Sequence, residues 1–387
     1  MAQSLPPEAY TSPDWFRQER ETLFSRAWSW VGMETDLKEP GDYFTATVHG
    51  HPLAVLLDAD GVPRVMHNLC RHRGTELLEG RGNAGKTLVC PYHRWTYGLD
   101  GALRGVPNRS ECFPHLDRSG LSLHQASIGI WKGLIFANPA ADQDFTAWIG
   151  PLDAAPFPHD TTDPSLQMGD EFVYRIKCNW KVFYENAIDG YHLAYLHENT
   201  LGGPVPGKNI WDQHGDHLVW YSTERDEVRN RVPNFVQEQA DSYGMTKIKG
   251  AETPGYGGVY MLFPGTIITP SPWSLTVSSL EPIDAGNTIL RARSWTPRGW
   301  FSSKEAPKEA PGFDPDTGLI ESRNWTKPPL ETGDFQTEDI WVCEKMQRSL
   351  VAPNYEVGPL SAGSGGEAML PIFQNQVRAA MQRQLPD

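Results

Sequence analysis

The sequence predicts an α+β fold, in which a mostly antiparallel sheet is accompanied by a few long helices. Runs rich in β-branched and aromatic residues recur along the chain and are broken by Gly, Asp and Pro, as in YFTATV, LAVLLD and GLIFAN. Apolar residues at helical spacing are confined to a few segments. Strands and helices do not alternate in the way that a parallel α/β sheet requires, so the α+β class is favoured.

The composition narrows the classes of protein to consider. The chain has 387 residues, which is enough for two domains with large buried cores. A formal charge of −14 disfavours nucleic acid as a partner, because phosphate binding relies on Lys and Arg. The sequence has no apolar run of the roughly 18 residues that a membrane span needs, and no signal-peptide pattern at its start. We therefore expect a cytoplasmic protein without membrane attachment.

The first 164 residues predict a helix, a block of short strands and a linker. Apolar residues at helical spacing behind a Ser-Pro start predict a helix over residues 13–31. Short strands are expected from about residue 40 to residue 150. The Pro-rich stretch 150–164 predicts a linker.

The rest of the chain predicts further strands and two C-terminal helices. The segment that begins at Glu171 has a strand pattern and turns helical near Trp180. Residues 303–333 are rich in Pro, Gly and charge and predict an exposed loop. The other predicted elements are strands over 217–223, 257–272, 274–283 and 288–297 and helices over 338–350 and 368–384.

Two Cys-His pairs, Cys70 with His72 and Cys90 with His93, have the spacing C-x-H-x17-C-x-x-H. Two thiolates and two imidazoles are a common zinc set. Zinc fingers, however, pair Cys with Cys and His with His, whereas each short loop here offers one of each. The mixed pairs predict a [2Fe–2S] cluster in which one iron takes the thiolates and the other takes the imidazoles. Cys112 and Cys178 have no spaced partner and are expected in the core.

The chain around these pairs is basic although the whole protein is acidic. The stretch from Gly61 to Ser110 contains eight basic and three acidic residues. This excess predicts either a docking face for an acidic partner or arginines that only hydrogen-bond nearby loops. The eight residues are Arg64, Arg71, Arg73, Arg81, Lys86, Arg94, Arg104 and Arg109.

A second constellation, Asp189, His192 and His197, has the spacing D-x-x-H-x4-H. Two histidines and one carboxylate form the facial triad of non-haem Fe(II) oxygenases. Residues five apart lie about 140° apart on a regular helix, so the helix must end or bulge between the histidines if both bind one metal. The neighbouring Glu185 and Asn186 are expected to be solvated helix residues without a role.

With these two constellations the chain resembles the Rieske non-haem iron oxygenases, and specifically their terminal (alpha) component. The run PYHRWTYGLDG is similar to the oxygenase branch, with Arg94 where that branch often has Gly. The resemblance implies an all-β Rieske domain over residues 41–152. This domain is inserted into a START-like helix-grip α+β catalytic domain over residues 1–40 and 153–387.

The same resemblance implies the remaining site residues. The third iron ligand is expected to be Asp339, five residues before Glu344, with Glu338 and Asp334 as alternatives. Asp189 is not a ligand in this family. It resembles the acid that links the iron site to a Rieske histidine of a neighbouring subunit, which implies a homotrimer or an α3β3 assembly.

The implied function is that of an oxygenase that receives NAD(P)H electrons through a separate reductase, with or without a ferredoxin, and uses O2 to hydroxylate an organic substrate. The run ENAIDGYH is similar to ring-hydroxylating enzymes and predicts an aromatic substrate, such as an aromatic acid. The run SRAWSWVGMETDLKEPGDYF is similar to choline, betaine and carnitine monooxygenases, so a quaternary ammonium substrate is the alternative. Two further classes are a pure electron carrier and a lipid-binding helix-grip module with structural zinc.

Overall fold

The structure is a computed structural model of the chain. It describes residues 5–140, 143–157, 163, 166–200, 209–222, 258–270, 274–297, 311–361 and 366–382. The chain divides into two compact units. One, the inserted unit, spans residues 25–147. The other combines residues 1–24 with residues 148–387 and is called the catalytic unit after its predicted role. The inserted unit begins earlier in the chain than the Rieske boundary predicted at residue 41.

The chain opens with two short helices, α1 (Glu8–Thr11) and α2 (Pro13–Thr22). The Ser12 side chain accepts a hydrogen bond from the Trp15 N–H, and Pro13 occupies the first position of α2, as its fixed φ favours. The prediction of one helix over residues 13–31 is wrong in its second half. Residues 29–33 form a strand instead, because pairing with a distant strand overrides the local helical pattern.

The inserted unit is built from two antiparallel sheets. Its elements are β1 (Ser29–Met33), β2 (Asp42–Val48), β3 (His51–Leu57), β4 (Pro63–His67), β5 (Arg81–Asn83), β6 (Thr87–Val89), β7 (Thr96–Gly98), β8 (Leu103–Gly105), α3 (Arg109–Cys112), β9 (Gln125–Trp131) and β10 (Leu134–Asn138). Seven strands follow the order β1-β10-β9-β4-β3-β2-β5, and a smaller sheet has the order β6-β7-β8. Cys70 and Cys90 are buried in one core with Trp95 and Tyr97.

The catalytic unit is a nine-stranded sheet with helices. Helix α4 (Phe145–Ile149) crosses the boundary between the two units. The further elements described in the catalytic unit are β11 (Leu166–Ile176), α5 (Trp180–Ile188), β12 (Asn209–His214), β13 (His217–Ser222), β14 (Val259–Leu262), β15 (Thr266–Pro270), β16 (Leu275–Asp284), β17 (Asn287–Pro297), β18 (Phe313–Asp314), β19 (Leu319–Glu321), α6 (Phe335–Ser349) and α7 (Leu370–Met381). The strand order is β12-β13-β14-β15-β16-β17-β11-β19-β18. This architecture confirms the predicted α+β class.

Helices α5, α6 and α7 share one apolar core with the sheet. Trp180 and Tyr184 of α5 contact Phe373 of α7, with ring centroids 5.6 and 4.2 Å apart. Ile340 and Cys343 of α6 are buried in the same core. Among the described residues, no helix is both long and apolar enough to span a bilayer.

Part of the stretch predicted as an exposed loop belongs to the sheet. Residues 303–310 lie outside the described residues, but β19 pairs in parallel with β11. Ile320 is 2% exposed, so even a short apolar pair in a Pro- and Gly-rich stretch is buried when a strand edge is available. The predicted linker is described over residues 150–157, where Gly150–Ala154 form a 3-10 turn, and at residue 163.

A buried polar network joins the N-terminal helices to α5. The Lys181 ammonium lies 2.6 Å from the Glu19 carboxylate, and neither side chain is exposed to solvent. Glu185, predicted to be solvated, is buried and accepts hydrogen bonds from the Tyr10 hydroxyl at 2.7 Å and the Gln374 amide at 2.9 Å. A helix as apolar as WKVFYENAI is buried on most sides, which is why its carboxylate is buried too.

Candidate metal centres

The two Cys-His pairs of the inserted unit lie in loops with the same backbone hydrogen bonds. In each loop the cysteine N–H donates to the carbonyl five residues later. The cysteine carbonyl accepts from the N–H four residues later. The four bonds measure 2.8–3.0 Å and join Cys70 to Thr75, Gly74 to Cys70, Cys90 to Trp95 and Arg94 to Cys90.

Equivalent positions in the two loops carry different residues. Gly74 has φ +75° and Arg94 has φ +59°, so both adopt the left-handed conformation. This conformation explains why a glycine suits the second loop, since a side chain there costs about 1–2 kcal/mol. The departure at Arg94 leaves the backbone hydrogen bonds of the loop intact.

The donor atoms of the inserted unit suit a Rieske cluster. The His72 and His93 rings lie 4.6 Å apart, and the Nδ1 atoms of both are buried without a hydrogen-bond partner among the described residues. Cys70 and Cys90 are 3% and 1% exposed. Two buried thiols beside two bare imidazole nitrogens fit a [2Fe–2S] cluster, because each iron then receives one pair of protein ligands.

A tyrosine hydroxyl contacts one of these thiols. The Tyr97 oxygen lies 3.3 Å from the Cys70 sulfur and accepts a hydrogen bond from the Arg71 N–H at 3.0 Å. Burial and the Cys70 contact raise the pKa of Tyr97, so its hydroxyl stays protonated and is able to donate to the sulfur. A hydrogen bond to a cluster sulfur is one of the protein's means of setting the reduction potential.

Most of the basic residues predicted as a docking face form hydrogen bonds or ion pairs with other residues of the inserted unit. Arg71 and Arg109 donate to the carbonyls of Gly120 and Leu116. In the described residues, Arg73, Lys86 and Arg94 have no acidic partner. The ion pairs formed by the others are Arg64–Asp58, Arg81–Asp36 and Arg104–Asp100.

Two cysteines outside the cluster motif were predicted to lie in the core. Cys178 is buried, as expected. Cys112 is exposed at the end of α3, so its prediction is wrong. A helix of only four residues buries none of its side chains here.

Both histidines of the second constellation lie beyond the end of α5. The helix ends at Ile188, before His192 and His197, rather than between them as the spacing predicted. His192 opens a 3-10 turn, His192–Ala194, and His197 follows in a further turn. This irregular backbone removes the 140° separation that a continuous helix would impose on the two rings.

His192, His197 and Asp339 converge on one point. The Nε2 atoms of the two histidines lie 3.2 Å apart, and the Asp339 Oδ1 lies 3.4 Å from His192 and 3.0 Å from His197. Ligands bonded at about 2.1 Å to one metal at right angles lie about 3 Å apart. The triangle therefore has the size of a facial metal triad, and in the described part of the chain it is the one group of this kind.

Carboxylates dominate the electrostatics of this triangle. Burial opposes charge on His192, but the nearby carboxylates of Asp189 and Asp339 outweigh it and raise its pKa to about 9. Burial likewise opposes charge on His197, whose pKa is nonetheless raised by Asp339 and Glu338. Burial alone would raise the pKa of Asp339, yet the two histidines lower it to about 2.

The other acids considered from the sequence lie outside the triangle. Asp334 caps α6, where its carboxylate accepts from the Gln336 N–H and the Thr337 hydroxyl. Glu344 accepts from the Lys177 N–H and the Ser322 hydroxyl, both at 3.1 Å. Both carboxylates therefore fix local structure.

Three residues around the triangle were not predicted in their observed roles. Asn186, expected to be solvated, donates from its amide to Asp339 Oδ1 at 2.8 Å. Glu338, weighed only as a ligand, contacts the far nitrogen of His197, and Thr200 donates to Glu338. The buried character of α5 was the available signal for Asn186, whereas nothing local marks Thr200.

Asp189 caps the end of α5 and lies beside His192. Its Oδ2 is 3.3 Å from the His192 Nδ1, but that nitrogen is not aligned for a hydrogen bond, so we regard the pair as an ionic contact. The other carboxylate oxygen accepts from the Tyr191 N–H at 2.6 Å. The Asp189 side chain is 19% exposed and so is not fully enclosed by its own chain.

Two family models account for most of the chain. Residues 27–119 match the Rieske [2Fe-2S] domain, and residues 164–383 match the ring hydroxylating alpha subunit (catalytic domain). The chain belongs to the Rieske non-haem iron oxygenases. It is an oxidoreductase whose cofactors are a Rieske [2Fe–2S] cluster and a mononuclear iron, as predicted. Membership in this family excludes the pure electron carrier and the zinc-containing lipid-binding module.

Similar proteins of this family act on several substrates. The chain is 32% identical to putrescine 2-hydroxylase of Ralstonia nicotianae over 73% of this chain and 74% of that protein. It is 26% identical to the carnitine monooxygenase oxygenase subunit of Escherichia coli, over 95% and 90%. The crystal structure of a quaternary ammonium Rieske monooxygenase with L-carnitine has a TM-score of 0.73 at 23% identity, over 98% and 96% of the chains. Members of the family take electrons from a reductase and act as multimers.

Proposed function

We propose that this oxygenase acts on an amine or a quaternary ammonium compound rather than on an aromatic ring. The relatives that match most of the chain carry the proposal, because their names specify putrescine and carnitine. Both compounds contain nitrogen that is cationic at neutral pH. The aromatic substrate predicted from ENAIDGYH finds no support in these two relatives, so the alternative prediction is preferred.

The charge of the catalytic unit suits a cationic substrate. Residues 25–147 contain 12 basic and 13 acidic residues. The rest of the chain contains 22 basic and 35 acidic residues and carries a formal charge of −13. An excess of negative charge raises the local concentration of cationic ligands and speeds their association.

In this proposal each metal has a defined set of ligands. Cys70, His72, Cys90 and His93 hold the cluster, and His192, His197 and Asp339 hold the iron, which leaves open coordination positions. When bound, the cluster supplies single electrons and the iron activates O2. The chain's own contribution at the iron is to hold three ligand atoms 3.0–3.4 Å apart on irregular backbone and on α6.

The electron path within the assembly is also part of the proposal. The Asp189 carboxylate joins His192 of one chain to His72 or His93 of a second copy of this chain, in a homotrimer. The contact between Asp189 and His192 and the partial exposure of the Asp189 side chain support this role. A carboxylate between two imidazoles orients both rings. Electrons enter from a reductase, directly or through a ferredoxin.

Substrate comparison with the purified holoenzyme and a surrogate reductase tests the substrate class. Product formation and O2 uptake are measured with putrescine, carnitine and choline, and with benzoate as an aromatic compound. We expect coupled product from at least one cationic compound and none from benzoate. The neutral carbon isostere of choline, 3,3-dimethylbutanol, is the matched control for charge. Coupled product from benzoate alone would refute the proposed substrate class.

A further inference from the structure

We propose that Glu338 is a positioning residue of the iron site, which fixes the tautomer and the ring orientation of His197. The inference rests on the proposed ligand set, because it assumes that His197 binds the metal through Nε2. It concerns affinity for the metal and does not depend on which substrate the enzyme oxidises.

The contacts of Glu338 are short and enclosed. Its Oε2 lies 2.7 Å from the Nδ1 of His197 and accepts a hydrogen bond from the Thr200 hydroxyl, also at 2.7 Å. The side chains of Glu338 and His197 are each 1% exposed. Water therefore does not compete for these hydrogen bonds, and the geometry is set by the three side chains.

These contacts determine which nitrogen of His197 carries hydrogen. A neutral imidazole has one N–H, and an ionised carboxylate only accepts hydrogen bonds. The nitrogen that faces Glu338 must therefore be the N–H, which leaves the lone pair of Nε2 free for a metal. The Thr200 hydroxyl donates to the same oxygen and so keeps Glu338 as an acceptor.

Glu338 and Asp339 hold the same ring from its two sides. Asp339 Oδ1 lies 3.0 Å from Nε2, whereas Glu338 reaches Nδ1, so the two adjacent acids of α6 have different roles. Among the described residues, His192 has no equivalent clamp, since its contact to Asp189 is longer at 3.3 Å and is not aligned. His197 is thus the more rigidly held of the two histidine ligands.

Substitution of Glu338 tests this role through iron affinity. The dissociation constant of Fe(II) is measured on protein that retains its cluster, and the EPR signal of Fe(II) with nitric oxide reports the ligand geometry. We expect Glu338→Gln and Glu338→Ala to weaken Fe(II) binding by about 10–100-fold, the usual effect of losing such a partner. Thr200→Val should give a smaller loss in the same direction.

Glu344→Gln is the matched control, because Glu344 is a buried acid of the same helix that contacts no member of the triangle. We expect it to lower thermal stability and leave the Fe(II) dissociation constant and the EPR signal unchanged. An unchanged dissociation constant in Glu338→Gln would refute the positioning role. So would a loss of iron in Glu338→Ala as complete as in Asp339→Ala, because Glu338 would then be a ligand. Equal effects of the Glu338→Gln and Glu344→Gln variants would reduce the role to general stability.

Discussion

The cluster loops and the iron triangle are built in opposite ways. Each cluster loop is closed by backbone hydrogen bonds that span only four or five residues, and the imidazole Nδ1 atoms are left bare. The iron triangle brings Asp339 to histidines more than 140 residues earlier and surrounds them with hydrogen-bonding side chains. Short backbone hydrogen bonds shape each cluster loop, and Tyr97 adds a contact to Cys70. The triangle joins residues that are distant in sequence and depends on the side chains around it.

The largest effects should follow from removal of the ligands themselves. Cys70→Ser and His93→Ala should abolish the visible and EPR signals of the cluster and leave the mononuclear iron in place. Asp339→Ala should do the reverse and lower iron content by about one per chain, since a three-ligand site tolerates the loss of an anchor poorly. Metal analysis and EPR of the purified variants measure both. An intact Rieske spectrum in either cluster variant would contradict the assigned ligands.

Asp189→Asn should separate metal binding from turnover. Because Asp189 is proposed to join the iron site to the cluster of another copy, we expect both metal sites to remain loaded while turnover falls by about 100-fold, at the upper end of effects seen for such partners. Rapid-mixing absorbance of the reduced cluster measures the transfer step. Oxidation at the wild-type rate would rule out the bridge and leave Asp189 with a cap role only.

Acid should weaken the binding of Fe(II) to the iron site. The pKa of His192 is raised to about 9, so the imidazole is protonated at neutral pH and a metal must displace that proton. Fe(II) affinity should therefore rise about tenfold per pH unit as the pH approaches 9. The folding stability of the metal-free protein depends on pH in the opposite direction. The stability from charged His192 is present below its unfolded pKa of about 6.5 and is lost as the pH rises through 9.

Fe(II) titration of the metal-free iron site at several pH values, with an indicator for released protons, measures this linkage. Asp189→Asn serves as a control, because it removes one of the two carboxylates that raise the pKa of His192. Its pH dependence should shift to lower pH. Fe(II) affinity that does not change between pH 6.5 and 8.5 would contradict the raised pKa.

The smallest effect concerns the equivalent left-handed positions of the cluster loops. Arg94→Gly should stabilise the protein by less than about 1 kcal/mol, because relief of the side-chain strain is offset by the larger entropy of glycine in the unfolded chain. Gly74→Ala should destabilise the protein by about 1 kcal/mol, because a side chain is strained in the left-handed conformation. Urea unfolding with intact cluster absorbance compares the two. A destabilised Arg94→Gly variant would mean that the guanidinium forms a stabilising contact.

Features that depend on nearby residues were predicted from the sequence. The strand that turns helical near Trp180 and the helix that carries Asp339 follow from short patterns. The proposed cluster ligands rest on a short pattern as well, and they remain a prediction. The α+β class followed from recurrent short strand patterns that do not alternate with helices. Each needs only local chemistry or periodicity, which a single sequence displays.

Features that depend on distant partners were missed. The strand over Ser29–Met33 is specified by its pairing with β10 and not by its own helical pattern. Asn186 and Glu338 have roles only because α5 and α6 meet at the iron triangle. Local reasoning does not decide the substrate class, since ENAIDGYH ends at the proposed iron ligand His192 and its pattern reflects the metal site.

The order in which the chain is synthesised determines when the buried pair of Glu19 and Lys181 is able to form. Helix α2 emerges before α5, because Lys181 follows Glu19 by 162 residues. Gln374, which contacts Tyr10 and Glu185, emerges later still. The inserted unit is contiguous in sequence and has all its strands by residue 138. It is therefore able to fold during synthesis, while Glu19 of α2 stays hydrated until Lys181 and helix α7 have emerged.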